Sequence, residues 1–175
     1  MNKVLILLIY YFTFSVYNMS KLKEYYGVQG KVKCFDDNLL QKFDVPARDK
    51  VKEVLGEFVA DNPDQFGQDL LFTSNKCKYK YLELQVCAQW VNEKYPYDKL
   101  YIYARKIKYD KDTLFMTLSR NLKWGYLFDT QKIKKEENTP RRFKKYSREF
   151  VYDIPWHHSV PITMDTLDEF TFELI

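Results

Sequence analysis

Three polar residues carry the chemistry legible in this chain: Asp69 and, after thirteen intervening residues, Glu83 and Gln85. Glu83 and Gln85 stand two apart, so on an extended strand they share one face while Leu82, Leu84 and Val86 take the other. Asp69 opens a short apolar run, Asp69-Leu70-Leu71-Phe72, and the polar stretch 73–78 that follows it suits a hairpin turn. Two carboxylates on neighbouring strands, anchored from behind by an apolar face, are placed to converge on one hard cation. Magnesium takes few carboxylates and completes its shell with water and substrate phosphate oxygens. Bound so, it polarises a phosphodiester, activates water and stabilises the leaving oxygen. The bland alternative is the solvated face of a half-buried strand, which gives the same local pattern.

The elements that must position these residues are readable on both sides. Residues 44–61 form the clearest helix. Asp44 suits its N-cap and Pro46 its first turn, while Val51, Val54, Leu55, Phe58 and Val59 make one apolar face. Asp61-Asn62-Pro63 ends it, because a residue before proline avoids the helical region. Strands are expected at residues 69–72, 79–88, 100–107, 113–118, 124–128 and 150–154, with shorter ones at 30–35 and 170–174. A helix followed by a mostly antiparallel or mixed sheet is an α+β arrangement.

With that order in place, residues 44–107 resemble the core of the PD-(D/E)XK nuclease superfamily, the restriction-endonuclease-like group. There, a helix precedes strands that carry an Asp and then Glu-x-Lys. The matching residues are Asp69, Glu83 and Gln85, with Gln in place of the motif Lys. Asp64, preceded by Pro63, is a rival to Asp69. The resemblance implies a metal held by Asp69, Glu83 and the Leu84 carbonyl, with Gln85 orienting the attacking water but bringing no charge to it. It also implies a carboxylate from the first helix. Glu53 and Glu57 are the candidates, and Glu57 is preferred because it lies nearer the apolar edge. A crossover helix should follow the motif strand, and residues 87–94 could form a short one. The implied activity is a Mg²⁺- or Mn²⁺-dependent endonuclease, a hydrolase of DNA phosphodiesters, with no small-molecule cofactor and with a homodimer left open. The alternative is a noncatalytic nucleic-acid- or protein-binding protein on a nuclease-like α+β scaffold.

Charge permits a nucleic-acid partner without demanding one: 28 Lys and Arg against 24 Asp and Glu leave +4. The densest basic stretch includes Arg141, Arg142, Lys144 and Lys145, interleaved with Phe143 and Tyr146, and could follow a phosphate backbone. Lys123, in the turn after residues 113–118, is a further phosphate candidate. Three cysteines with no C-x-x-C pair argue against a zinc finger or a disulfide framework. No Gly-rich phosphate loop and no H-E-x-x-H occurs. Residues 1–18 read as a hydrophobic leader, too short to span a bilayer, ahead of one globular domain over residues 19–175. Used as a signal, they imply secretion or membrane tethering. If translation starts at Met19, the protein is cytoplasmic or nuclear.

Overall fold

The computed structural model describes residues 36–64, 67–75, 77–109, 111–130, 140–143, 149–168 and 172. The leader, the expected strand at 30–35 and all of 170–174 except Phe172 lie outside them.

The helix begins earlier and ends sooner than its periodicity suggests. Helical backbone runs over residues 37–58, as α1 (Asp37–Leu39), a π segment (Leu40–Asp44), α2 (Val45–Leu55) and a 3₁₀ turn (Gly56–Phe58). Asp36, rather than Asp44, is the cap, its Oδ1 accepting from the N–H groups of Asn38 at 3.1 Å and Leu39 at 3.4 Å. The helix continues through Pro46 because the register widens just before it. Val45 N–H bonds to Leu40 O, five residues back, ahead of a residue that has no N–H to give. The helix stops at Gly56, whose φ of 52° and ψ of −128° suit a residue without a side chain. Residues 59–61, read as the end of the helix, turn extended.

Strands β1 (Val59–Asp61), β2 (Leu70–Phe72), β3 (Tyr81–Cys87), β5 (Thr113–Ser119), β6 (Trp124–Asp129) and β9 (Ser159–Thr163) form one sheet in the order β1-β2-β3-β5-β6-β9. The β3–β5 pair is parallel and the others antiparallel, so the sheet is mixed and the chain belongs to the α+β class. A second sheet, β4-β8-β7, joins β4 (Leu100–Tyr103), β8 (Phe150–Ile154) and β7 (Arg141–Arg142).

Three layers result, as the two core clusters show. One face of the large sheet, carrying Leu82, Leu84, Leu114, Met116, Leu118 and Leu127, packs on Ala47, Val51 and Leu55 of α2. The opposite face brings Cys87, Phe115 and Phe128 against Leu100, Tyr101, Ile102, Val151 and Ile154 of the small sheet. A parallel pair needs a long crossover. Here it spans residues 88–112 and contains β4 and a 3₁₀ helix (Ala104–Tyr109). No helix forms at 87–94, and the strand expected to reach residue 107 ends at Tyr103. Among the described residues no helix is long and apolar enough to cross a membrane.

Candidate active site

The site rests on where strand pairing stops. Strand β2 pairs with β3 only at Leu71↔Tyr81 and Leu70↔Leu82. Beyond Leu82, the β3 edge facing away from β5 has no strand partner among the described residues, although its polar groups still require partners. Leu84 presents its N–H and C=O to that open edge, and two side chains take them. Asp69 Oδ2 accepts from Leu84 N at 2.8 Å. Lys106 Nζ donates to Leu84 O at 2.5 Å and lies 2.6 Å from Glu83 Oε1. Asp69, Glu83, the Leu84 carbonyl and one ammonium therefore meet at a single place.

Glu83 is not on a solvated face. It is 5% exposed and Gln85 8%, because the small sheet covers the side of β3 that the alternation assigned to solvent. Burial pushes the Glu83 carboxyl up to about 7; Lys106 opposes this and the Asp69 charge adds to it. Glu83 Oε2 is buried with no hydrogen-bond partner among the described residues. Asp69 is half-buried.

Gln85 does not reach this cluster as the motif residue should. Its Nε2 donates to Tyr101 O at 3.0 Å and its Oε1 has no partner among the described residues, inside the contact between the sheets. The cation comes from Lys106, in the Arg105-Lys106-Ile107-Lys108 run of the 3₁₀ helix, which turns side chains toward β3 that a continued strand would have alternated. The alternating Leu100, Ile102 and Ala104 hid that turn from a reading by period.

The two helix carboxylates expected at the cluster stand away from it. Glu57 lies in the 3₁₀ turn after α2, exposed, its carbonyl accepting from the Thr73 hydroxyl. There it lines a shallow cavity of about 390 Å³ with Phe58, Ser74 and Asp168, at the far end of β2 from Asp69. Glu53 is exposed and paired with Lys50 at 3.0 Å. The acid that faces the cluster is Asp44, last residue of the π segment, whose charge interacts with Lys106, Asp69, Arg48 and Arg105. Asp44 is exposed, yet its carboxyl is raised, first by desolvation from the surrounding chain and less by Asp69, with Lys106 opposing. Asp44 was legible only as a cap. Asp64 is exposed and interacts with Lys108 and Tyr109, and burial, Glu83 and Asp69 together raise the Tyr109 phenol.

Of the expected phosphate contacts, Lys144 and Lys145 lie outside the described residues. Arg141 is exposed on β7 and tied to Asp153, with Nε 2.9 Å from both carboxylate oxygens and Nη2 at 2.7 Å. The Arg142 guanidinium lies 5.8 Å from the Phe150 ring centre. Lys123 is exposed on the β5–β6 turn, whose register puts it beyond Ser119, four residues past the partner of Glu83, or roughly 13 Å along the sheet.

Among the described residues no group of three or more His, Cys, Asp or Glu side chains is gathered as a metal cage. The donors present are the Asp69 and Glu83 carboxylates, with Glu83 Oε2 unpartnered among the described residues, and the Leu84 edge carbonyl. These all-oxygen donors suit a hard cation that keeps part of its water shell. Compared with protein-family models, curated proteins and solved structures, the chain finds no match.

Proposed function

We propose that this protein is a metal-dependent endonuclease hydrolysing DNA phosphodiesters, with a restriction-endonuclease-like core. One observation carries the reading: Asp69 and Glu83 converge on the open edge of β3, beside the Leu84 carbonyl and a lysine ammonium. The order helix, antiparallel β1-β2-β3, then a crossover to a strand parallel to β3 supports it. The crossover departs from the family pattern by carrying a 3₁₀ helix.

In this reading Asp69, Glu83 and the Leu84 carbonyl hold Mg²⁺ or Mn²⁺. The ion would supply Lewis acidity at a phosphate oxygen and lower the pKa of a bound water. Lys106 supplies the positive charge that Gln85 lacks, near the attacking water and the phosphate. Gln85 holds β4 against β3 through Tyr101 O, which keeps the 3₁₀ helix and its lysine in register. Arg48 and Arg105, whose charges reach Asp44, provide positive potential beside the acids for a polyanion.

Nicking of supercoiled plasmid tests this. Activity should require Mg²⁺ or Mn²⁺, stop with EDTA and vanish in both Asp69→Ala and Glu83→Ala. Lys106→Met should slow it by roughly a hundredfold, the scale on which one electrostatic stabiliser acts. Full activity in either acid variant refutes the assignment.

A second reading has its own support. Lys106 already neutralises Glu83 in a pair whose side chains are 13% and 6% exposed. A noncatalytic nucleic-acid- or protein-binding protein could keep that pair as a structural bridge. It predicts no cleavage in any metal.

A further inference from the structure

The two oxygens best placed to hold a metal already hold a cation. Lys106 Nζ lies 2.6 Å from Glu83 Oε1 and 2.5 Å from Leu84 O. A magnesium ion would hold the same oxygens at about 2.1 Å. One donor pair cannot serve both cations.

We propose that Lys106 is a tethered gate: its ammonium occupies the Glu83–Leu84 donor pair, and a divalent ion binds only after Lys106 swings out. The inference rests on the reading of Asp69 and Glu83 as a metal site, and it adds how that site is regulated.

Three features make the exchange workable. The pair is incomplete, since Glu83 Oε2 is buried without a partner among the described residues, so a singly charged ammonium leaves acceptor capacity unused. Asp69 stands beside the pair, bonded to Leu84 N at 2.8 Å, and with Glu83 gives two negative charges, a better match to a divalent ion than to one ammonium. Lys106 sits on a short 3₁₀ helix, and its four-carbon stem lets the ammonium leave while the backbone stays. Asp44, whose charge interacts with Lys106, gives the displaced ammonium a second carboxylate at the rim. The ordinary alternative, a permanent bridge, would leave Lys106 in place at every metal concentration.

Mn²⁺ titrated calorimetrically into the full chain separates these. The Lys106→Met variant should bind Mn²⁺ about tenfold more tightly than the unaltered protein, the gain expected if the ammonium leaves the donors free roughly a tenth of the time. Adding Glu83→Gln should abolish that binding. Equal or weaker affinity in Lys106→Met overturns the gate, as does absence of Mn²⁺ binding in every form.

A second measurement needs no variant. Lysine acetylation by acetic anhydride, mapped by peptide mass spectrometry, should rise several-fold at Lys106 when Mn²⁺ is added. Unchanged or reduced labelling overturns the proposal even if Lys106→Met fails to fold. Cleavage is scored apart from both. Tighter Mn²⁺ binding in Lys106→Met without plasmid nicking by the unaltered protein upholds the gate and removes the nuclease. Nicking by the unaltered protein with Lys106 unresponsive to Mn²⁺ does the reverse.

Discussion

Replacing Glu83 by Gln should abolish a pH dependence that a buried carboxyl imposes on folding. Burial raises that carboxyl from an ordinary 4.5 to about 7. Between those values the folded chain holds a proton that the unfolded chain has released, so stability falls as pH rises. The contribution is fully present below pH 4.5 and is lost as pH passes through 7. The difference of about 2.5, at roughly 1.4 kcal/mol each, is about 3 kcal/mol in all. About 2.5 kcal/mol of that falls between pH 5 and pH 8. For a chain of 175 residues this corresponds to a drop in Tm of roughly 5–10 °C.

The assay is urea unfolding followed by tryptophan fluorescence, without metal, at pH 5 and pH 8. Other carboxylates titrate too. The comparison is therefore between the unaltered protein and Glu83→Gln at each pH. The stability of the unaltered protein relative to Glu83→Gln should fall by about 2.5 kcal/mol from pH 5 to pH 8. A pH-independent difference would refute the reasoning, since it would mean that Lys106 cancels the cost of burying the charge. Mn²⁺ bound through ionised Glu83 must displace the proton, so its affinity should rise about tenfold per pH unit below 7.

Three other substitutions probe the remaining assignments. Gln85→Lys, which restores the motif residue on paper, should cost at least about 3 kcal/mol in urea unfolding and raise no cleavage, because the position lies buried between the sheets; increased nicking would return position 85 to the site. Glu57→Ala should leave nicking and Mn²⁺ affinity unchanged, whereas Asp44→Ala should weaken Mn²⁺ binding measurably by calorimetry; the opposite pattern would restore Glu57 as the helix carboxylate. Gly56→Ala should lower stability by about 1–3 kcal/mol through backbone strain alone, since φ is 52° and no atom lies within 4 Å of an added Cβ; an unchanged urea midpoint would show that the helix end adapts.

The apolar periods made much of the fold legible. The face of α2, the alternation in β3 and the strands β5 and β6 all announce themselves by spacing, and Asp69 and Glu83 were visible as a pair. The rest was hidden by long-range effects. The π segment appears only once Pro46 is seen inside a helix rather than at its start. Strand β9 has Pro161 in it and an edge position in the sheet, which a period of two does not reveal. Lys106 is 23 residues beyond Glu83 in sequence, in a run that alternates well enough to pass for strand.

The same cause explains why Lys106, and not residue 85, brings its side chain to Glu83. A strand with one solvated face can carry its own catalytic lysine two residues after its acid. Here β4 and β8 cover that face, so a charge at position 85 would be buried between the sheets beside Tyr101. A neutral amide that bonds Tyr101 O fits there at far lower cost. The covering sheet also leads directly into the 3₁₀ helix, which returns a lysine to the open edge from the other side. The layer that makes lysine untenable at 85 is thus what delivers one at 106. The double variant Gln85→Leu with Lys106→Met should separate the two contributions. The first change should lower stability alone; the second should change metal affinity and cleavage. Non-additive effects on Mn²⁺ affinity would mean that the two positions act as one unit.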